Sequence, residues 1–168
     1  DDYGIIIGSS HAEPMLCNNV DEWNIESMGE FNYRINKEKV YRYWEKRTIE
    51  SNKYENIYTV GMRGIHDSGM EGVESLNEKV DLLREIIHDQ RELIKKYVNQ
   101  DVTKVPQVFI PYKEVLEIYD NGLQLPEDIA IVWPDDNYGY IRRLNNNEEK
   151  NRPGGSGVYY HLSLKMRC

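Results

Sequence analysis

The 168-residue sequence predicts an α/β fold built on a parallel sheet. Three observations carry this. Five short apolar words recur along the chain, helical patterns separate most of them, and several words are apolar at successive positions, as strands buried on both faces require. Strands alternating with helices form βα units joined by right-handed crossovers, which makes neighbouring strands parallel.

Taken in order, the first strand is residues 3–8 (YGIIIG). A helix follows over residues 37–50, where Val40, Tyr43, Trp44 and Arg47 fall at i, i+3, i+4 and i+7, so that the arginine's aliphatic stem closes an apolar stripe. The second strand is residues 56–61 (NIYTVG). Ser75 and Glu78 have capping-box spacing and open a helix running to Val98, with Val80, Leu83, Ile87, Ile94 and Val98 on one face. The third strand, residues 107–112 (QVFIPY), leads into a helix that starts near Lys113, packs Val115, Leu116, Ile118 and Tyr119, and stops at Gly122. The fourth strand is residues 129–133 (IAIVW). Residues 145–157 (NNNEEKNRPGGSG) read as a polar, glycine-rich loop with Glu148, Glu149 and Lys150 in solvent; the fifth strand, residues 157–162 (GVYYHL), follows.

Composition removes several function classes. Twenty-nine acidic against 21 basic side chains give a net charge of -8, which repels phosphate backbones and excludes a general nucleic-acid binder. No run approaches the roughly 18 apolar residues of a membrane span. The two cysteines, Cys17 and Cys168, form neither a CxxC nor a disulfide scaffold. The first strand is followed by Ser9-Ser10-His11-Ala12-Glu13, so the glycine-rich phosphate loop of a nucleotide-binding sheet is missing.

Polar groups cluster after every strand: Ser10, His11 and Glu13; Arg63, His66 and Asp67; Tyr112, Lys113 and Glu114; Asp135, Asp136 and Asn137; His161 and Ser163. In parallel α/β folds these ends open on one face, where ligands bind. Alternation in an extended chain puts Trp133, Asp135 and Asn137 on one side and Asp136 on the other, and separates Ile110, Tyr112 and Glu114 from Lys113. One aspartate and one lysine are therefore expected to be structural. The carboxylates Glu13, Asp67, Glu114 and Asp135, set beside Arg63, His11, His66 and His161, permit glycoside hydrolysis by a carboxylate pair or metal-assisted hydrolysis. Against the metal, no HExxH or HxH occurs, and His66 and Asp67 are adjacent. Cations beside carboxylates fit an acidic sugar, because a uronate needs charge-assisted donors. A non-catalytic carbohydrate-binding module is the other class compatible with such a pocket. His88, in the long helix, is expected to be structural or superficial.

The words SHAEPMLCNN, YENIYTVGMRGIHD, IIHDQR, VPQVFIPYKEVLEIYDNGLQLPEDIAIVWPDDNYGYIRRL and RPGGSGVYYHLS resemble glycoside hydrolase family 115, the inverting, exo-acting α-glucuronidases, over roughly residues 3–163. The resemblance implies a partial (β/α)8 TIM barrel in which the five strands are the third to seventh. It implies a catalytic-domain piece truncated at both ends and inactive alone, and a tail, Leu164 to Cys168, that departs from the family pattern. It also implies removal of glucuronic or 4-O-methylglucuronic acid from glucuronoxylan or arabinogalactan-type oligosaccharides, without cofactor or metal, by a secreted or periplasmic parent enzyme that forms a homodimer. By motif, Glu114 and Asp67 are the acid and base candidates, with neither order fixed. Arg63 and His161 are expected to clamp the uronate, and Tyr112 and Asn137 to bind hydroxyls. Asp135 and His66 join the site, and His11, Glu13, Asn19 and Trp23 form pocket wall.

Overall fold

The computed structural model describes residues 4–65, 68–70, 72–136 and 138–161. Five strands, β1 (Ile7–Gly8), β2 (Asn56–Val60), β3 (Gln107–Phe109), β4 (Ala130–Pro134) and β5 (Ser156–Tyr159), pair in sequence order, and every pairing is parallel. A doubly wound sheet reverses its strand order partway; a singly wound one does not, and it must curl to bury its second face. The curl is visible at the strand ends. Four inter-strand spacings of about 4.8 Å separate the outer strands of a flat sheet. Yet the rings of His11, just past β1, and Tyr159, on β5, lie 5.6 Å apart. The chain is an arc of about five βα units of a (β/α) barrel.

The helices lie between the strands. Two short ones, α1 (Asn19–Glu22) and α2 (Ile25–Met28), precede α3 (Lys37–Ser51) in the first crossover; α4 (Leu76–Tyr97) fills the second and α5 (Glu114–Asp120) the third. The capping box at Ser75 and Glu78 is formed, and α4 buries Val80, Leu82, Leu83, Ile86, Ile87, Gln90, Leu93 and Ile94. In α3 the stripe is Val40, Tyr43, Trp44 and Thr48; Arg47 stays partly exposed and pairs with Glu22. The α5 helix ends as its glycine requires, with Gly122 at φ 100° and its N–H on the Tyr119 carbonyl.

The two sheet faces differ. Tyr58, Phe109, Ile131 and Trp133 are 1% exposed or less, and they meet the helices: Tyr58 bonds Ser51 of α3, while Phe109 and Trp133 stack near Tyr119 of α5. Their neighbours Ile57, Val108, Ala130 and Val132 are only half-buried. The apolar words thus have one face under helices and the other toward the concave side of the arc. At its two edges Ile7 and Val158 are exposed.

One expectation fails in the loop before β5. Glu149 is not in solvent: it is 6% exposed and sits in a short 3-10 turn, Glu149–Asn151. Arg143 grips both of its oxygens at 2.7 and 2.8 Å, Tyr119 donates at 2.9 Å and the Asn146 N–H at 2.7 Å. Arg143 also pairs with Asp120 at 3.0 Å and lies 4.4 Å from the Trp133 ring. A carboxylate leaves water when a guanidinium and several donors replace its hydration, and this set does so. Further along, Gly154 is obligatory, because a Cβ there would meet the Ile129 carbonyl carbon at 2.5 Å. Among the described residues no helix is long and apolar enough to cross a membrane.

Candidate active site

The C-terminal ends of all five strands contribute to one cluster. Tyr112, 7% exposed, is its hub: its ring lies 4.3 Å from His11, 6.2 Å from His161 and 5.5 Å from the Arg63 guanidinium, with the Lys113 ammonium 5.0 Å from its centroid. Arg63, 2% exposed, directs Nε and one terminal nitrogen at the two oxygens of Glu114, at 2.9 and 2.8 Å. A buried guanidinium requires a carboxylate, and the planar fork matches both oxygens of one. In this structure the fork that was expected to clamp the uronate holds Glu114. The Glu114 side chain is still 28% exposed, so it faces both the arginine and the cleft.

Asp135 is engaged within the protein in the same way. Its side chain is fully buried; one oxygen contacts His161 Nδ1 at 2.5 Å and the other accepts the His161 backbone N–H at 3.1 Å. Asp135 thus orients the imidazole of His161. The two aspartates do different jobs, as the alternation rule expected: Asp136 serves its own loop, accepting the N–H groups of Tyr138 at 2.8 Å and Tyr140 at 3.0 Å. The rule fails at Lys113, whose backbone lies at φ 52° and ψ -121°, so that the extended chain breaks before Glu114 opens α5. A non-glycine residue held there is strained, and such strain gathers at functional sites.

The charges at this mouth are largely paired, Arg63 with Glu114 and His161 with Asp135, and the Lys113 ammonium lies over the Tyr112 ring. Burial pulls His11 down to about 4, and the charges of Arg63, Lys113 and His161 act in the same direction. His11 is therefore neutral near pH 7, a hydrogen-bonding group rather than a cation.

The other expected site residues divide. Trp23 is core, 5% exposed, with its N–H on the Gly29 carbonyl and its ring against Phe31 and Tyr43. Asn19, 1% exposed, stands behind the site and donates to the Ala12 carbonyl at 2.9 Å, which braces the turn carrying His11. Glu13 lines a separate cleft with Arg47 and Glu50. Of the four expected wall residues, His11 is the one that reaches the cluster. His66, Asp67 and Asn137 lie outside the described residues. Among the described residues no group of three or more histidine, cysteine, aspartate or glutamate side chains converges to hold a metal.

One positioning residue was not anticipated. Gln90, fully buried on α4, accepts the Gly61 N–H at 2.7 Å and donates to the Gly61 carbonyl at 2.8 Å. Gly61 ends β2 at φ 110°, two residues before Arg63, so this clamp sets the direction in which the arginine leaves the strand. A glutamine within the apolar stripe of α4 was the available signal, because a buried amide requires partners. In the full-length protein Gln90→Leu is expected to lower at least tenfold any turnover that depends on Arg63, the factor for about 1.4 kcal/mol. Wild-type activity of Gln90→Leu, at matched fold by near-UV circular dichroism, would contradict the clamp.

This geometry has a close counterpart. A solved structure of a family GH115 4-O-methyl-α-glucuronidase, BtGH115A, with specificity for decorated arabinogalactans, is 53% identical and superposes with a TM-score of 0.94. The match covers 98% of this chain and 22% of that one, so the chain spans about a fifth of the solved relative's length. A search of curated proteins finds no match. The family model for glycosyl hydrolase family 115 matches residues 1–167. The chain belongs to that family.

Proposed function

We propose that the protein carrying this chain is an inverting, exo-acting α-glucuronidase that releases glucuronic or 4-O-methylglucuronic acid from glucuronoxylan or arabinogalactan-type chains. The observation that carries this reading is the convergence, past five successive strands, of a partly exposed carboxylate, Glu114 held by Arg63, with Lys113, His161 and the Tyr112 ring. Charge-assisted donors beside a carboxylate fit an acidic sugar.

Within this cluster, His161, oriented by Asp135, and Lys113 supply donors for the uronate carboxylate. Neutral His11 bonds sugar hydroxyls, and the Tyr112 ring forms the floor. Glu114, held by Arg63, is one member of the carboxylate pair, and Asp67 is assigned as the other. In an inverting enzyme one carboxylic acid protonates the leaving oxygen while the other carboxylate activates water on the opposite face of the ring, the two standing about 6.5–9.5 Å apart. A polysaccharide substrate fits a secreted or periplasmic location.

The test feeds uronic-acid-bearing xylo- and arabinogalacto-oligosaccharides to the full-length protein and follows the anomeric proton of released uronate by NMR. The β-anomer should appear first. Initial release of the α-anomer would overturn inversion, and no release from either series would overturn the substrate class.

A further inference from the structure

The geometry points to a second subsite, in the cleft between the loops that follow β3 and β4, that binds the neutral sugar from which the uronate is cleaved. This deepens the uronosidase reading and rests on it. The cleft has a volume of about 330 Å³ and shares Tyr112 and Asp135 with the cluster, so a ligand filling it abuts the reacting bond. Pro111, Leu116, Pro134 and Tyr138 complete a largely apolar wall. Rings and proline faces of this kind bind the C–H face of a pyranose, while rim charges bond its hydroxyls.

Charge separates the two halves of the mouth. Around His11, Arg63, Lys113 and His161 gather beside Glu114, which suits the uronate. In the cleft the charges largely cancel: Arg142 is 2.6 Å from Asp136, and Lys113 lines the same wall as Asp135, which His161 engages. That half suits an uncharged sugar. Its wall is also built in advance. Tyr138 is 74% exposed, yet its loop is fixed because Asp136 accepts from the backbone N–H groups of Tyr138 and Tyr140 and from Arg142. A bare ring on a braced loop binds with little ordering cost.

The test compares kcat/KM of the full-length enzyme on a uronosyl oligosaccharide and on the methyl α-uronoside, whose leaving group is too small to fill the cleft. Tyr138→Ala should lower the oligosaccharide-to-methyl ratio about tenfold through loss of remote binding energy, and Tyr138→Phe, which keeps the ring, should preserve it. An unchanged ratio in Tyr138→Ala overturns the subsite while leaving the uronosidase reading intact. If the wild type cleaves neither compound, the uronosidase reading falls and the subsite falls with it.

Discussion

Glu114→Gln in the full-length enzyme is expected to lower kcat by about 10²-fold or more, since a positioned acid or base contributes on the order of 10² to 10⁴. Two effects combine. The amide removes the group that exchanges a proton, and it turns an N–H₂ toward a guanidinium that now receives both carboxylate oxygens at 2.9 and 2.8 Å. Arg63, nearly fully buried, then keeps only one of its two acceptors on Glu114. The alternative role is local: a carboxylate in the first turn of α5 favours the helix regardless of chemistry. Turnover and thermal melting separate them. Lost turnover with a melting temperature within a few degrees of wild type supports the catalytic role, whereas near-wild-type turnover returns Glu114 to the helix start.

Glu149→Leu is expected to destabilise the protein by about 3–5 kcal/mol, the usual cost of removing one partner of a buried ion pair. Total stabilities of about 5–15 kcal/mol make this a large fraction. Arg143 would keep Asp120 and the Leu144 carbonyl, and Tyr119 and the Asn146 N–H would lose this acceptor. The pH dependence gives an independent reading. Arg143, with the Asn146 N–H and Tyr119, holds the Glu149 carboxyl down at about 2, below its ordinary 4.5. Its contribution is therefore complete above about pH 4.5 and is lost as pH falls through about 2. His11 adds a second acid-sensitive step: its folded value of about 4 lies below the ordinary 6.5, so the folded state loses stability as pH falls from 6.5 toward 4. Urea melts at pH 7, 5 and 3 should show both steps in the wild type and lose the lower one in Glu149→Leu. An unchanged slope below pH 4.5 would contradict the buried role of Glu149.

What the sequence made legible follows the range of the forces involved. The capping box, the stripe of α4 and the stop at Gly122 depend on neighbours within a turn or two, and they appear where the spacing put them. Strand existence was legible, but strand length was not: β1 keeps two residues and β3 three, because pairing depends on the adjacent strand's reach. Convergence of His11, Arg63, Tyr112, Glu114, Asp135 and His161 followed from their places after successive parallel strands. Their pairing did not. Arg63 and Glu114 are 51 positions apart, and Asp135 and His161 are 26 apart, so which cation took which carboxylate was decided by three-dimensional packing. Glu149 misled for the same reason, since nothing local marks a polar loop as wrapped around an arginine on Trp133. At Lys113 the alternation rule broke, because that residue leaves extended backbone.

The most direct measurement of the central claim is a crystal structure of the full-length Glu114→Gln enzyme with an uncleaved uronosyl oligosaccharide. The uronate should lie at the C-terminal ends of β1 to β5, its carboxylate within hydrogen-bond reach of His161 and Lys113 and its ring over Tyr112, with the neighbouring sugar against Tyr138. A uronate bound elsewhere, with this mouth empty or closed by another part of the protein, would contradict the account.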